Sequence, residues 1–190
     1  MAKKFNWAYI GAGGIAQSTA KKILKTGRHR IVSVYNRTVE RAEDFAAKYG
    51  AKSCRSIEEA VNRPDVQGVY IATTHNNHYA AAKECLLLSK PVLVEKAFTV
   101  TRGEAAELVA LAKEKGVYLA EAMWTWYSPV SRQVKVWCGE IGEIIDVQIS
   151  FCTRIPRSFD RIYNPDTAGG ALLDIGVYAL TLSLQSSGNA

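Results

Sequence analysis

A glycine cluster near the amino terminus constrains the fold of this chain more than any other feature. Gly11-Ala12-Gly13-Gly14-Ile15-Ala16 follows a short apolar run at residues 5–10 and opens a stretch of helical spacing at residues 15–25. The cluster matches G-x-G-x-x-G/A, in which the first glycine permits a tight turn and the second lets the backbone approach a diphosphate. The final small residue lets the helix pack closely on the strand. Because the match lies between a strand and a helix, we favour a nucleotide-binding loop over an ordinary glycine turn.

Strand-like and helix-like segments alternate through the first 120 residues. We expect strands at residues 5–10, 31–35, 51–54, 66–72, 91–94 and 117–120, with helices at 15–25, 38–48, 78–88 and 101–115. Ser56 with Glu59, and Thr101 with Glu104, match the capping box, so a short helix also begins at Ser56. This order predicts an α/β fold, with a doubly wound parallel sheet of the Rossmann type at residues 1–121.

The pattern changes after residue 121. We expect helices at residues 129–138 and 169–184, one long strand at 144–151, and an irregular polar segment at 155–167. A single long strand needs a partner for its backbone groups, and nothing in the remaining sequence resembles one. Residues 122–190 are therefore expected to be the partial, incomplete start of an α+β substrate and dimerisation domain.

Composition excludes several classes of protein. Hydrophobic residues make up 48% of the chain and charged residues 22%, which is typical of a soluble globular protein. No apolar run of 18 residues or signal peptide is evident, and the four cysteines lack metal or redox spacing. We therefore expect a cytoplasmic protein with no membrane contact, four reduced and mostly buried thiols, and no metal.

Basic residues are concentrated in the first 50 positions, where ten basic side chains accompany three acidic ones. Such an excess is compatible with nucleic acid, with a small phosphorylated ligand or with a solvated face. No row of aromatic residues is interleaved with these charges to stack bases, so we expect no nucleic-acid partner.

The end of the second expected strand bears on the choice of dinucleotide. Sites for NAD carry an acidic residue there to bind the ribose 2′-hydroxyl, whereas this chain has Asn36-Arg37-Thr38. Arg37 can form charge-assisted bonds to a 2′-phosphate, and its neighbours can add neutral ones. We therefore expect NADP(H) in preference to NAD(H); the alternative is that Arg37 is a solvated surface residue, as we expect for Arg41.

Two later motifs make the prediction more specific. Glu95-Lys96 ends a buried-type strand, and Gly169-Gly170-Ala171-Leu172-Leu173-Asp174-Ile175-Gly176-Val177-Tyr178 lies in the second part. With the glycine loop, this set resembles the Gfo/Idh/MocA oxidoreductase family. That family has Glu-Lys-Pro at the position of Glu95-Lys96-Ala97, so alanine replaces the proline here. It usually has a histidine at the position of Tyr178.

The tyrosine, together with Glu121-Ala122-Met123-Trp124-Thr125, resembles the branch of dimeric dihydrodiol dehydrogenases and NADP-dependent D-xylose dehydrogenases. Many members of that branch have an arginine where this chain has Trp126. The resemblance implies hydride transfer between nicotinamide and a carbinol carbon of a sugar, polyol or trans-dihydrodiol, and a homodimeric full-length protein.

The resemblance also implies roles for individual residues. Lys96 would polarise the reacting oxygen, Tyr178 would exchange its proton, and Asp174 would orient Lys96 or bind substrate hydroxyls. Trp124, Asp174 and Tyr178 would contact substrate. The expected cofactor-binding residues are Gly11, Gly13, Gly14, Ile15, Ala16, Asn36, Arg37, Thr38, Thr73, His75, Asn76, His78, Glu95 and Lys96.

Each role has a plain structural alternative. Lys96 could be a solvated loop lysine, and Tyr178 could be a core aromatic residue on an amphipathic helix. His75 and His78 meet the family's Asn-x-x-His pattern only loosely, although family placement puts both near the nicotinamide ribose. Because members of the family are much longer than 190 residues, a truncated and inactive dinucleotide-binding relative is the alternative function.

Overall fold

The computed structural model describes residues 3–187, and the chain divides into two compact units, residues 1–121 and 122–190. The first unit is built around a parallel sheet. Its strands and helices, in chain order, are β1 (Phe5–Ile10), α1 (Gly14–Lys25), β2 (His29–Tyr35), α2 (Val39–Tyr49), β3 (Lys52–Cys54), α3 (Ile57–Val61), β4 (Gly68–Ile71), α4 (His75–Leu87), β5 (Val92–Val94), α5 (Arg102–Lys115) and β6 (Leu119–Glu121).

All neighbouring strands of the sheet are parallel, and their order is β3-β2-β1-β4-β5-β6. This is the doubly wound order of a dinucleotide-binding fold, so the predicted α/β class is confirmed. Ile10 of β1 pairs with Ile71, Ile71 with Val94 and Val94 with Glu121. Four strands therefore end level with one another, and the loops that follow them start from one edge.

The strands alternate between two buried faces. One face packs on α4 and α5 around small and branched side chains: Ala8, Ile10, Val69, Ile71, Val92, Val94, Ala82, Leu86, Leu108 and Ala112. On the opposite face the rings of Tyr9 and Phe45 lie 5.4 Å apart, and those of Tyr9 and Tyr70 lie 4.9 Å apart. Burial of both faces explains why the central strands are almost wholly apolar in sequence.

Helix boundaries follow the capping residues with two corrections. Thr101 and Glu104 form the complete predicted capping box. At the second predicted box, Ser56 accepts the Glu59 N–H, but the Glu59 carboxylate accepts from the N–H of Arg55, so the reciprocal half is missing. Helix α4 also begins at His75, three residues before its expected start.

All regular secondary structure within the described residues of the second unit, 122–187, is helical, and residues 144–156 are irregular. It contains a 3₁₀ turn at Trp124–Tyr127, α6 (Pro129–Glu140), α7 (Asp160–Tyr163), a 3₁₀ turn at Pro165–Thr167, a π-helical stretch at Leu172–Gly176 and α8 (Val177–Ser186). The strand expected at residues 144–151 does not form. Ile145 is 95% exposed, and no other strand within residues 122–187 is available to pair with this segment.

One helical segment, Pro165–Ser186, is long and apolar enough to cross a membrane by length and composition alone, with a mean hydropathy of 1.4 in its best window. The apolar-run criterion applied to the sequence does not detect it. Helices of soluble proteins also meet this standard, so the segment by itself assigns no membrane contact.

The four cysteines form no disulfide with one another. Cys54 and Cys85 are buried, Cys138 is half-buried and Cys152 is exposed. The expectation of mostly buried thiols therefore holds for two of the four.

Candidate functional site: the carboxyl edge of the sheet

The glycine loop has the geometry that a bound diphosphate requires. Gly11 has a φ of +102°, and a Cβ there would lie 2.5 Å from the carbonyl oxygen of Ala72. Only glycine fits this close approach between β1 and the end of β4. Ala16 is buried beneath the loop, as expected for the small residue that lets α1 pack on the sheet.

The beginning of α1 is open for an anion. Gly13 is the N-cap of α1 and supplies no side-chain cap, and a Cβ at Gly13 or Gly14 would meet no atom within 4 Å. Ile15 follows in the first turn and is exposed. The first N–H groups of a helix carry a partial positive charge and have no partner within the helix, so the residues present fit a diphosphate group.

Asn36 ties the glycine loop to the end of β2. Its Oδ1 accepts the N–H of Ala12 at 3.2 Å, and its Nδ2 donates to the carbonyl of Thr38 at 2.9 Å. Asn36 therefore orders the loop, while a direct bond from it to a ligand stays a prediction. Arg37 is exposed beside it, and Thr38 is the N-cap of α2 without a side-chain capping bond.

The segment after β4 contains two histidines in different settings. His78 is fully buried; its Nδ1 lies 2.7 Å from the carbonyl oxygen of Ala97, and its Nε2 lies 3.3 Å from that of Thr73. Burial lowers the pKa of His78, against the opposing effect of these carbonyls. Both ring nitrogens of His78 therefore contact backbone carbonyl groups. His75 is also buried, and Asn76 is exposed.

Glu95, after β5, is hydrogen-bonded to the sheet. The hydroxyl of Tyr70 donates to its carboxylate, and Thr19 of α1 lies 2.9 Å from that hydroxyl. Burial and the Glu95 charge together raise the pKa of Tyr70, so its hydroxyl remains protonated as a donor. This arrangement fixes the orientation of Glu95 at the edge where nucleotides bind to such sheets.

Lys96 is half-buried and is followed by a tightly bonded turn. The N–H of Phe98 donates to Oε1 of Glu121 at 2.8 Å. Burial raises the pKa of Glu121, and the neighbouring Glu95 charge adds to this effect, while Lys96 opposes it. Glu95, Lys96 and Glu121 therefore form one group of charges at the ends of β5 and β6.

In the second unit, two of the predicted substrate residues lie together. Trp124 Nε1 donates to the hydroxyl of Tyr178 at 3.3 Å, and the Phe151 ring lies 5.3 Å from the Tyr178 ring. Asp174 is only 6% exposed, and the Arg161 guanidinium lies 3.4 Å from its Oδ1. An ionised aspartate in such burial needs a cation or donors, and Arg161 supplies both.

Sequence reasoning missed Glu121 and Tyr70 as members of the site. A signal for Glu121 was available, because it ends a strand at the same edge as Glu95. Tyr70 gave none, because a tyrosine within an apolar strand is indistinguishable from a core residue. Within residues 3–187 no group of three or more His, Cys, Asp or Glu residues is placed to hold a metal ion.

The fold and this edge define a Rossmann-type dinucleotide-binding protein. The profile of the GFO_IDH_MocA family, described as an oxidoreductase family with an NAD-binding Rossmann fold, matches residues 5–123. The chain belongs to this family.

Curated relatives match this chain over about half of their own length. In an alignment 204 positions long, it is 37% identical to D-xylose 1-dehydrogenase (NADP(+)) of Hypocrea jecorina. The alignment covers 95% of this chain and 52% of that one. It is 38% identical over 183 residues to trans-1,2-dihydrobenzene-1,2-diol dehydrogenase of Mus musculus, covering 92% and 54%. The chain thus spans about half the length of the curated relatives it matches.

Solved structures agree on the fold. The 3-ketoreductase KijD10 of Actinomadura kijaniata, in complex with NADP and TDP-benzene, superposes with a TM-score of 0.84 at 32% identity, covering 93% of this chain and 55% of that one. GenD2 from gentamicin A biosynthesis, in complex with NAD, gives a TM-score of 0.85 at 26% identity, covering 99% and 55%. Both NAD and NADP therefore occur among the structural neighbours.

Proposed function

We propose that this chain is the cofactor-binding part of an NADP(H)-dependent dehydrogenase acting on a CH–OH group of a sugar or trans-dihydrodiol. The observation that carries the proposal is the glycine loop: Gly11 has a φ of +102°, and the start of α1 is open to a diphosphate. Names of the relatives support the substrate class, since they are dehydrogenases of D-xylose and of a dihydrobenzenediol.

The preference for NADP(H) rests on the end of β2. Arg37 stands where NAD-binding sites carry a carboxylate, and its guanidinium can form two parallel bonds to a phosphate. The exposed Arg37 side chain leaves this fork accessible. Arg37 would hold the 2′-phosphate, and the first turn of α1 would hold the diphosphate.

When bound, the nicotinamide supplies the site that accepts or gives the hydride. The protein must transfer the proton of the substrate hydroxyl and position the reacting carbon against the nicotinamide. In our proposal, the Lys96 ammonium polarises the reacting oxygen and the Tyr178 hydroxyl exchanges its proton. Trp124, which donates to that hydroxyl, orients it, and Asp174 presents an oxygen acceptor on the same helical segment.

The cofactor preference is tested by titrating NADPH and NADH separately and following nucleotide fluorescence. Arg37→Gln should weaken NADPH binding by roughly tenfold or more, because it removes one charge-assisted contact, and leave NADH binding unchanged. Arg41→Gln is the matched control, an exposed arginine on α2 that should affect neither nucleotide. Equal loss of both nucleotides in Arg37→Gln, or NADH binding as tightly as NADPH, would refute the assignment.

Turnover is tested with D-xylose and with trans-1,2-dihydrobenzene-1,2-diol as substrates. Lys96→Ala and Tyr178→Phe should each abolish oxidation. Tyr178→Phe should leave NADPH binding intact, whereas Lys96→Ala should also weaken it, because Lys96 is among the expected cofactor-binding residues. A normal rate in either variant removes that residue from the mechanism. Tight NADPH binding without turnover of any CH–OH substrate would favour the second candidate, a catalytically inactive dinucleotide-binding relative.

A further inference from the structure

The turn that carries Lys96 is held by side chains from two other elements. The carbonyl oxygen of Ala97 lies 2.7 Å from Nδ1 of His78 on α4. One residue further on, the N–H of Phe98 donates to Oε1 of Glu121, at the end of β6, at 2.8 Å. The residue before Lys96 is also fixed, because the N–H of Glu95 donates to the carbonyl of Ile71.

His78 is suited to holding the turn because it has no exposed surface. Because a carbonyl oxygen can only accept, the 2.7 Å contact with Ala97 is a hydrogen bond in the tautomer that carries the ring proton on Nδ1. Ala97 itself is 3% exposed, so its carbonyl oxygen has little access to water. A buried carbonyl that lost this donor would be left without a partner, which makes the contact costly to break.

Glu121 reaches the turn because of strand register. It pairs with Val94, the last residue of β5, so its side chain lies beside the residues that follow β5. The bond to Phe98 needs only a carboxyl or amide oxygen as the acceptor. Glutamine at this position keeps that oxygen, while alanine removes it, so the two variants separate hydrogen bonding from side-chain length.

We infer that His78 and Glu121 are positioning residues that hold the backbone on the carboxyl side of Lys96 and thereby fix where its ammonium group lies. The inference rests on the proposed role of Lys96. Neither side chain has to touch substrate, because each acts through the backbone of Ala97 or Phe98. Two anchors from different elements restrain the turn more completely than either one alone.

The inference is tested on the full chain by amide hydrogen exchange and by acylation of Lys96. Glu121→Ala should speed exchange of the Phe98 amide by roughly tenfold to a hundredfold, since a bond to a carboxylate is lost. The amide of Ala72, which donates to Ile10 in the neighbouring strand pair, is the internal reference for loss of global stability. Its exchange should change far less.

Acylation by sulfosuccinimidyl acetate reports on the lysine itself. The rate at Lys96, divided by the rate at the exposed Lys113, should change in Glu121→Ala and in His78→Leu. Glu121→Gln and His78→Asn keep an acceptor and a donor respectively, and each should return the ratio towards the wild-type value. A purely structural loss would not be rescued selectively at Lys96.

Two outcomes would overturn the inference. The first is that the ratio of acylation rates at Lys96 and Lys113, and the exchange rate of the Phe98 amide, are the same in wild type, Glu121→Ala and His78→Leu. The other is Glu121→Gln behaving like Glu121→Ala. Failure of the proposed function is distinguishable, because it appears as normal turnover in Lys96→Ala or as no turnover in wild type, and neither result alters the exchange measurements.

Discussion

Replacing Gly11 by alanine tests whether the close approach of the glycine loop to β4 is as tight as the structure shows. The new Cβ would lie 2.5 Å from the oxygen and 2.8 Å from the carbon of the Ala72 carbonyl. That carbonyl is held in place, because the N–H of Ala72 donates to Ile10 at 2.8 Å. Relief therefore requires movement of β1 or β4, which lie in the middle of the sheet.

The cost has two parts. A side chain at positive φ costs roughly 1–2 kcal/mol, and overpacking against a rigid neighbour costs roughly 1–3 kcal/mol. We expect Gly11→Ala to lower the free energy of unfolding by about 2–5 kcal/mol, a large share of the ~5–15 kcal/mol available to a typical protein. For a chain of this length, the melting temperature should fall by roughly 4–20 °C.

Gly13→Ala is the matched control. Gly13 has a φ of −72°, and a Cβ there meets nothing within 4 Å. Its stability should stay near wild type, because the ~0.4–1 kcal/mol gained by restricting the unfolded chain is offset by alanine being a poorer N-cap than glycine. Its affinity for NADPH should nevertheless fall, since the added methyl occupies the space through which a diphosphate approaches the backbone.

The assay pairs urea denaturation, followed by far-ultraviolet circular dichroism, with NADPH titration of the same preparations. The reasoning is refuted if Gly11→Ala unfolds at the same urea concentration as wild type. It is refuted equally if Gly13→Ala is as destabilised as Gly11→Ala. Loss of binding in both variants with loss of stability in only one is the expected pattern.

Three further predictions concern single side chains. Asn36→Asp should shift the NADPH to NADH affinity ratio about tenfold towards NADH in a fluorescence titration, because a carboxylate repels a 2′-phosphate and can accept a ribose 2′-hydroxyl; an unchanged ratio would contradict it. Ser33→Ala should lower the free energy of unfolding by about 1–3 kcal/mol in urea titration, because the buried Ser33 hydroxyl donates to the Ala60 carbonyl at 2.7 Å; no loss would contradict it. Exposed Cys152 should react with dithionitrobenzoate at pH 8 in the native protein, whereas Cys85 should react only after unfolding, since burial raises its pKa to about 12; native labelling of Cys85 would contradict that burial.

The parallel sheet was predictable because its determinants are local. Most strands contain a short run of apolar residues, most helices begin at a capping residue or end at a glycine, and Gly11 to Ala16 fix the first turn. The strand expected at residues 144–151 was wrong for a reason that is not local. An alternating apolar pattern forms a strand only when a neighbour supplies backbone partners, and the described residues 122–187 contain none.

The site was predictable only in part. Glycine spacing indicates a phosphate-binding loop because backbone conformation is encoded in residue type. The bond between Glu121 and Phe98 depends on β6 pairing with β5 in a register that places Glu121 opposite Val94. No local pattern determines that register. The contacts of the His78 ring with two backbone carbonyls were equally unpredictable, because they depend on how α4 packs beside the turn after β5.

The replacement of the family's Glu-Lys-Pro by Glu95-Lys96-Ala97 gives these two contacts their importance. Proline restrains a turn through its ring, and alanine imposes no such restraint. In this chain, both polar groups of the Ala97–Phe98 peptide are bonded to side chains instead: the Ala97 carbonyl to His78, and the Phe98 N–H to Glu121. Restraint by side chains depends on the packing of α4 and on the register of β6. Mutations in those elements should therefore reach Lys96 even when they lie far from any bound ligand.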